Sequence, residues 1–192
     1  MCDGATPIDD LSGLKIRGVK TREQLYEQEA RNISKAIIKY IDKFPSRRRA
    51  SFDVTWMAQL HREMFGNVWD WAGKFRRRDV NIGVAWHAIV GELQNLADTL
   101  EYWRSNPIDL VEQAARLHHS AVHIHPFLNG NGRWSRLLAD IWLLQHGNSE
   151  TNWPSTVNFS STFRQDYIQA LREADAGNFD PLIGLHRQFT SS

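Results

Sequence analysis

The sequence contains a single cysteine, Cys2, and this scarcity excludes two kinds of stabilising site. One thiol can form neither a disulfide within the chain nor a zinc site built from several thiolates. Such cysteine usage is typical of proteins that fold in a reducing compartment. We therefore expect a fold held together by packing and hydrogen bonds rather than by covalent cross-links.

Long apolar runs are also missing. No stretch of about 18 uncharged apolar residues occurs, so the sequence predicts no membrane-spanning helix. The first residues show no basic segment followed by an apolar one, as a secretory signal would. The formal net charge is only +1, so no overall field draws the chain to nucleic acid or to a membrane. We expect a cytoplasmic protein with neither as its partner.

What the sequence does contain is helical periodicity. At 192 residues, 42% of them hydrophobic, the chain can bury one sizeable core, so we expect a single domain over residues 1–192. Apolar spacing predicts helices that begin near residues 22, 53, 88, 107, 133, 161 and 180. Thr21 and Asp53 are suited to cap the first two helices, and Asn106 followed by Pro107 to begin the fourth.

The helical pattern breaks between residues 66 and 83. Glycines, aromatic residues and an alternation at Val80 and Ile82 predict a short extended hairpin there. The edge of such a hairpin could pair with an extended peptide. The expected fold is therefore all-α, a helical bundle with one small β-hairpin near residues 73–87.

Two runs of three arginines, residues 47–49 and 76–78, could in principle contact nucleic acid. Residues 47–49 have no aromatic side chains interleaved for base stacking. Short charge runs are more typical of solvated loops. We interpret both runs as solvated.

The chemistry is concentrated in residues 125–136, which read HPFLNGNGRWSR. The glycines of the Gly130-Asn131-Gly132 turn let backbone N–H groups approach a ligand closely. The positive end of the following helix favours an anion at the same place. Arg133 and Arg136 lie on one face of its first turn, and guanidinium groups bind phosphate oxygens bidentately. The combination predicts a polyphosphate site.

His125 ends the preceding helix, across the loop from the two arginines. A histidine there could take the proton of a hydroxyl that attacks the bound phosphate. Taken singly, the glycine turn could be a tight helix connection and the arginines a surface ion-pair face. Their joint occurrence, in order and behind His125 and Phe127, favours the phosphate site.

This stretch resembles the signature of Fic domains, His-x-Phe-x-Asp/Glu-Gly-Asn-Gly-Arg-x-x-Arg. It matches at His125, Phe127, Gly130, Asn131, Gly132, Arg133 and Arg136. Gly73-x-Phe75-Arg76 leading to Val80-x-Ile82 resembles the family's flap, and Arg164-x-x-Tyr167 followed by Gly177-Asn178 resembles its C-terminal helix. The resemblance spans residues 66–185, after N-terminal helices in residues 1–65. Within the family the chain most resembles the subgroup called mobile mystery protein B.

The resemblance implies a Fic-like helical bundle and a protein adenylyltransferase. Such an enzyme transfers AMP from ATP to a Ser, Thr or Tyr hydroxyl of a target protein or of itself. By the motif match, His125 would be the general base, and Arg133 and Arg136 would hold the β- and γ-phosphates. Asn131, with the amides of Gly130 and Gly132, would hold the α-phosphate.

The same resemblance implies how the target binds. The flap residues Val80, Asn81, Ile82 and Gly83 would align an extended segment of the target protein by strand addition. The implied partners are thus a protein that presents a hydroxyl side chain and, in addition, an antitoxin or other regulator.

The chain departs from the signature at Asn129, where the family has an acidic residue that binds Mg²⁺. An amide oxygen can ligate Mg²⁺ but brings no negative charge to a cation that prefers carboxylates. We therefore expect Mg²⁺ to be held mainly by the phosphates of ATP. Inhibition in the family often comes from a glutamate that pairs with the second motif arginine. Glu29 is the nearest candidate here, which gives the hypothesis that Glu29 contacts Arg136; the alternative is a solvated glutamate on a helix face.

Two other functions stay open. His119 and His123 have the i, i+4 spacing of metal ligands, which keeps a metal hydrolase open. Without a His-Glu-x-x-His arrangement or a nearby cysteine, however, we interpret His118, His119 and His123 as helix-face or packing residues. The other alternative is a catalytically weak nucleotide-binding or toxin–antitoxin partner module, in which Asn129 marks the loss of catalysis.

Overall fold

The structure is a computed structural model that describes residues 12–16, 18–19, 21–42, 50–154 and 161–190. These residues form an all-α fold, as expected. Its helices are α1 Arg22–Ile37, α2 Val54–Phe65, α3 Ile89–Ser105, α4 Leu110–Ile124, α5 Asn131–Gln145, α6 Ser161–Asp175 and α7 Asp180–Phe189. A π-helical turn, Ile38–Asp42, extends α1, and a 3-10 turn, Trp86–Ala88, precedes α3. Among the helices described, none has the length and apolar character needed to cross a bilayer.

The first two helices begin where their capping residues predict. The Thr21 side chain accepts a hydrogen bond from the Gln24 N–H, and the Asp53 side chain accepts one from the Trp56 N–H. The prediction for α4 is wrong by three residues. Asn106 ends α3 by donating its N–H to the Tyr102 carbonyl, and Asp109 caps α4 through the Glu112 N–H. The arginine run 47–49 lies outside the described residues.

Helix α5 lies at the centre of the core. Its two tryptophans are fully buried, and each fixes α5 to a neighbouring helix by one hydrogen bond. Trp134 Nε1 donates to the Met57 carbonyl of α2 at 3.0 Å, and Trp142 Nε1 donates to Gln113 Oε1 of α4 at 3.0 Å. Because the motif joins α4 to α5, its loop is anchored on both sides by buried structure.

The predicted β-hairpin is not formed. Within the described residues β-pairing is confined to two isolated bridges, Leu14 with Trp69 and Thr151 with Thr190. Residues 74–85, here called the flap, form an irregular loop. The Arg76 guanidinium donates to the carbonyls of Arg78 and Val84, on the two sides of this loop. A side chain thus satisfies carbonyls that a partner strand would otherwise have paired.

Candidate active site

The motif loop is closed by the side chain of Asn131. Its Oδ1 accepts the Phe127 N–H at 3.0 Å, and its Nδ2 donates to the Phe127 carbonyl at 2.9 Å. Asn131 is 2% exposed and Phe127 is fully buried. Both polar atoms of the Asn131 side chain are therefore engaged inside the loop, although the resemblance implies that this residue contacts the α-phosphate.

Gly130 begins α5 in a left-handed conformation, with φ of 79°. A Cβ here would lie 2.7 Å from the Phe65 ring and 3.3 Å from His61 Nε2, so only glycine fits. A Cβ on Gly132, by contrast, would have only Arg136 Nη1 nearby, at 3.9 Å. One glycine thus seats the turn against α2, and the other leaves the N-terminus of α5 open to a ligand.

His61 of α2 packs against the motif loop. This role of His61 was not predicted from the sequence. Its Nε2 lies 3.0 Å from the Asn129 carbonyl, and its Nδ1 accepts the Gly73 N–H at 2.9 Å. The ring stacks on Phe127 with centroids 3.6 Å apart. Because Nδ1 accepts, the proton sits on Nε2 and the ring is neutral. Burial lowers the pKa of His61 to about 3, which agrees with that state. The only sequence signal was a histidine on the apolar face of α2.

His125 ends α4 in a left-handed conformation, with φ of 50°. Its Nδ1 is buried without a hydrogen-bond partner. Burial, together with the charge of Arg76, lowers the pKa of His125 to about 4, although the backbone at Val122 acts in the opposite direction. The imidazole is therefore neutral at pH 7 and can accept a proton.

Arg76 is 2% exposed, so the solvated interpretation of the run 76–78 is wrong for its first member. Its Nε donates to the His125 carbonyl at 2.7 Å, and its Nη2 reaches the Ile124 carbonyl at 3.4 Å. These carbonyls belong to the unsatisfied end of α4, where a cation is favourable. Arg77 and Arg78 are exposed, as expected. Arg76 therefore joins the flap to the helix end that carries His125.

The flap touches His125 directly. Gly83 has φ of 101°, and a Cβ on it would lie only 2.6 Å from His125 Cβ. Val80 and Ile82 are 36% and 44% exposed, and Asn81 is exposed as well. Of the four flap residues named by the resemblance, Gly83 thus lies beside the candidate base, and Val80 and Ile82 carry apolar side chains open to solvent.

The two motif arginines have different partners. Arg133 Nη1 lies 2.6 Å from Glu29 Oε2, and its guanidinium covers the Phe65 ring at 4.7 Å. Glu29 is 3% exposed, and its Oε1 accepts the Trp69 Nε1–H at 2.6 Å. The hypothesis names Arg136 as the partner of Glu29; the structure has Arg133 in that position.

Arg136 lies over the ring of Tyr167, 5.8 Å from its centroid. The Tyr167 hydroxyl is 2.9 Å from His118 Nε2, and His118 Nδ1 is 3.0 Å from His186 Nε2. His186 Nδ1 then meets Thr151 Oγ1 at 3.1 Å. A buried hydrogen-bonded chain through α4, α6 and α7 therefore stands behind the second arginine.

Residues 51–143 match the family described as Fic/DOC. The chain contains a Fic/DOC domain. It is 35% identical over 130 residues to the protein adenylyltransferase Fic of Drosophila grimshawi, a match that covers 65% of this chain and 26% of the relative. The corresponding protein of Drosophila mojavensis is also 35% identical, over 65% of this chain and 25% of the relative. The chain thus spans about a quarter of the length of these relatives.

Solved structures share the fold of this Fic/DOC domain. The BepC protein of Bartonella tribocorum, a VirB-translocated effector with bound AMPPNP, has a TM-score of 0.68 at 21% identity, covering 91% of this chain and 90% of that one. Fic-1 from C. elegans, residues 134–508, has a TM-score of 0.69 at 24% identity, covering 91% of this chain and 50% of that one. At these identities the comparison establishes the fold alone.

The Fic/DOC domain offers Mg²⁺ little at Asn129. The Asn129 side-chain Oδ1 accepts the Gly130 N–H at 2.6 Å, and its backbone carbonyl faces His61. The Glu29 carboxylate, beside Arg133, already accepts hydrogen bonds from Trp69 and from Arg133. Since Mg²⁺ prefers charged oxygen ligands, these residues do not fit a magnesium site built by the protein.

Proposed function

We propose that this Fic/DOC domain is a protein adenylyltransferase, which transfers AMP from ATP to a Ser, Thr or Tyr hydroxyl of a target protein or of itself. The observation that carries the proposal is the position of His125 at the end of α4, across the motif loop from Arg133 and Arg136 in the first turns of α5. The two Drosophila relatives named above bear the same activity in their names. Such a site combines a proton acceptor with a polyphosphate cradle.

In the reaction, the target hydroxyl oxygen bonds to the α-phosphorus of ATP and pyrophosphate leaves. Nε2 of His125 takes the hydroxyl proton, because Nδ1 is buried. Arg133 and Arg136 hold the β- and γ-phosphates that depart as pyrophosphate. The N-terminal amides of α5, at Asn131 and Gly132, stabilise charge on the α-phosphate. A pKa of about 4 keeps His125 unprotonated at neutral pH.

We assign the flap to target alignment. Val80 and Ile82 are exposed, and Gly83 lies against His125, so a segment along the flap would pass beside the base. Backbone groups of residues 80–83 would pair with an extended target segment, which is strand addition without a preformed strand. The target hydroxyl would then be set by the register of that pairing.

We propose that Glu29 restrains the enzyme through Arg133. Glu29 Oε2 lies 2.6 Å from Arg133 Nη1, on the guanidinium group that would bind a phosphate. ATP therefore has to displace the carboxylate in order to bind there. An antitoxin or other regulator could set how often the pair opens.

We further propose a cytoplasmic location and membership of the mobile mystery protein B subgroup. Members of that subgroup should then carry an acid at the position of Glu29, and its absence from them would contradict the assignment.

Mg²⁺ would enter with ATP and be held by its phosphates. If so, Asn129→Asp should add a charged ligand and lower the Mg²⁺ concentration that gives half-maximal labelling, by about tenfold. Asn129→Ser serves as the matched control, since it keeps a small neutral side chain. The idea fails if the aspartate variant shows the same Mg²⁺ dependence and rate as the wild type.

A second candidate function, favoured by Asn129, is a nucleotide-binding module without catalysis. One experiment separates the two. The purified protein is incubated with α-labelled ATP, Mg²⁺ and cell lysate, and compared with His125→Ala and with the exposed-residue control His146→Ala. Labelled protein that requires His125 and survives in the control supports the transferase. ATP binding without labelled protein, also in Glu29→Gly, supports the binding module.

A further inference from the structure

Away from the motif, three side chains converge between α4 and the end of α6. His119 Nε2 lies 2.9 Å from Asp175 Oδ1, and His123 Nδ1 lies 3.1 Å from the same oxygen. The ligand atoms of all three residues lie within 4.8 Å of one another. The helix spacing of the histidines is visible in the sequence, but Asp175, 56 residues beyond His119, is supplied only by the fold.

We propose that His119, His123 and Asp175 form a binding site for a divalent transition metal ion such as Zn²⁺. Zinc binds imidazole nitrogen and carboxylate oxygen at about 2.0–2.1 Å in tetrahedral geometry, which separates neighbouring ligand atoms by roughly 3.3 Å. The two observed separations, 2.9 and 3.1 Å, need to open by only a few tenths of an ångström. Imidazole ligands favour zinc, nickel or copper over magnesium or calcium.

The surroundings fit such a site. His119 is held edge-on against Phe179 with ring centroids 5.2 Å apart, so its ring is oriented in advance. Arg116, a positively charged residue in the wall of the adjoining cavity, is paired with Glu112 at 2.7 Å.

A cavity of about 390 Å³ opens in front of the three ligands. Its wall also includes the polar side chains of Glu92, Asn95 and Ser120. Three protein ligands with an open fourth position are the arrangement of zinc sites that keep a bound water. The metal would also link α6 to α4. Because α6 carries the Tyr167 ring that lies under Arg136, this link would connect the metal site to the second motif arginine.

The test uses the full chain, purified without an affinity tag and freed of metal with a chelator. Zn²⁺ is titrated by calorimetry at pH 7.5, and Co²⁺ is added separately to record the visible absorption of a tetrahedral site. We expect one equivalent bound and a melting temperature that rises with Zn²⁺. His123→Ala and Asp175→Asn should each weaken binding about 100-fold or more, since even loss of an outer partner costs 10–100-fold. His87→Ala, an exposed histidine elsewhere, should bind as the wild type does.

Three results would overturn the proposal: no stoichiometric binding, binding that survives both substitutions, or an equal loss in His87→Ala. In each case the three side chains are an ion-pair cluster without a metal. The His123 side chain is 56% exposed, so its replacement is not expected to unfold the chain. The metal-free melting temperatures of the variants check that point directly.

Discussion

Arg133 and Arg136 lie three residues apart on one helix, yet their partners lie on different helices of the domain. Arg133 faces α1 and α2 and is held by a buried acid, Glu29. Arg136 faces α6 and is backed by Tyr167 and a chain of neutral histidines. The first arginine is paired with a carboxylate, whereas the second is positioned by aromatic and hydrogen-bonded groups.

This difference shows what spacing can and cannot predict. Helical geometry places the two guanidinium groups on one face and so predicts a shared ligand. Helical geometry does not predict which residues of other helices contact the two guanidinium groups. Those contacts determine how strongly each arginine can bind phosphate. Substitutions at the two arginines and at their partners test the contrast.

The largest effect is expected from removing either arginine. Arg133→Ala and Arg136→Ala should each lower the rate of AMP transfer by about 10²–10³-fold, the usual cost of losing a group that stabilises transferred charge. Arg133→Ala should also lower the free energy of unfolding, by about 1–3 kcal/mol, because it leaves the buried Glu29 carboxylate without its cation. Labelling rates and urea denaturation measure both. An unchanged free energy of unfolding in Arg133→Ala would show that the pair with Glu29 does not stabilise the fold.

Glu29→Gln is expected to tighten ATP binding by about tenfold, since the carboxylate that competes with phosphate loses its charge. The gain should persist in the Arg136→Ala background and shrink several-fold in the Arg133→Ala background, because a double-mutant cycle reports direct partners. Calorimetric ATP affinities give the cycle. Glu27→Gln, on the same helix and exposed, is the control. A gain that depends on Arg136 would reverse the pairing.

Tyr167→Phe should lower the transfer rate several-fold and the free energy of unfolding by about 1 kcal/mol. The hydroxyl that meets His118 is lost, and a buried polar group is left without its bond. Arg136 keeps the ring beneath it, so the effect is smaller than that of removing the arginine. Tyr102→Phe, an exposed tyrosine, is the control. An unchanged rate would show that the chain behind Arg136 has no influence on catalysis.

A further expected effect concerns the pH dependence of stability and leaves the two arginines in place. Burial lowers the pKa of His186 to about 3, so below pH 6.5 the unfolded chain binds a proton there that the folded chain does not. Stability is therefore lost as pH falls, at about 1.4 kcal/mol per pH unit for this one group. Asp140, whose pKa burial raises to about 7, acts in the opposite direction.

Removing this group gives the measurement. His186→Phe should reduce the slope of unfolding free energy against pH, between pH 5 and 6, by about 1.4 kcal/mol per unit. Urea denaturation at the two pH values provides the slope, and His87→Ala should leave it unchanged. A slope equal to that of the wild type would mean that His186 is protonated in the folded chain.

Local features were predictable from the sequence because their causes are local. The caps at Thr21 and Asp53, the all-α class and the glycine turn at Gly130 all follow from neighbours within a few residues. The motif brought His125 and the two arginines to one loop for the same reason. The role of each residue in catalysis is still a prediction.

Features that depend on distant partners were not predictable. Nothing in the run 76–78 distinguishes Arg76 from its neighbours until the carbonyls at the end of α4 arrive beside it. Within the flap, where a hairpin was expected, the same guanidinium donates to the carbonyls of Arg78 and Val84. Likewise, Asp175 turns two helix-face histidines into a cluster only after α6 packs on α4.

The motif loop is closed by one of its own side chains. With Asn131 bonded to both backbone groups of Phe127, hydrogen bonds within the protein fix the shape of the loop. A disordered loop would lose about 1–2 kcal/mol of conformational free energy per residue on binding, and here that loss has already occurred during folding. Nucleotide association should accordingly show a small change in heat capacity and little temperature dependence of its enthalpy, as expected when a ligand enters a rigid cradle.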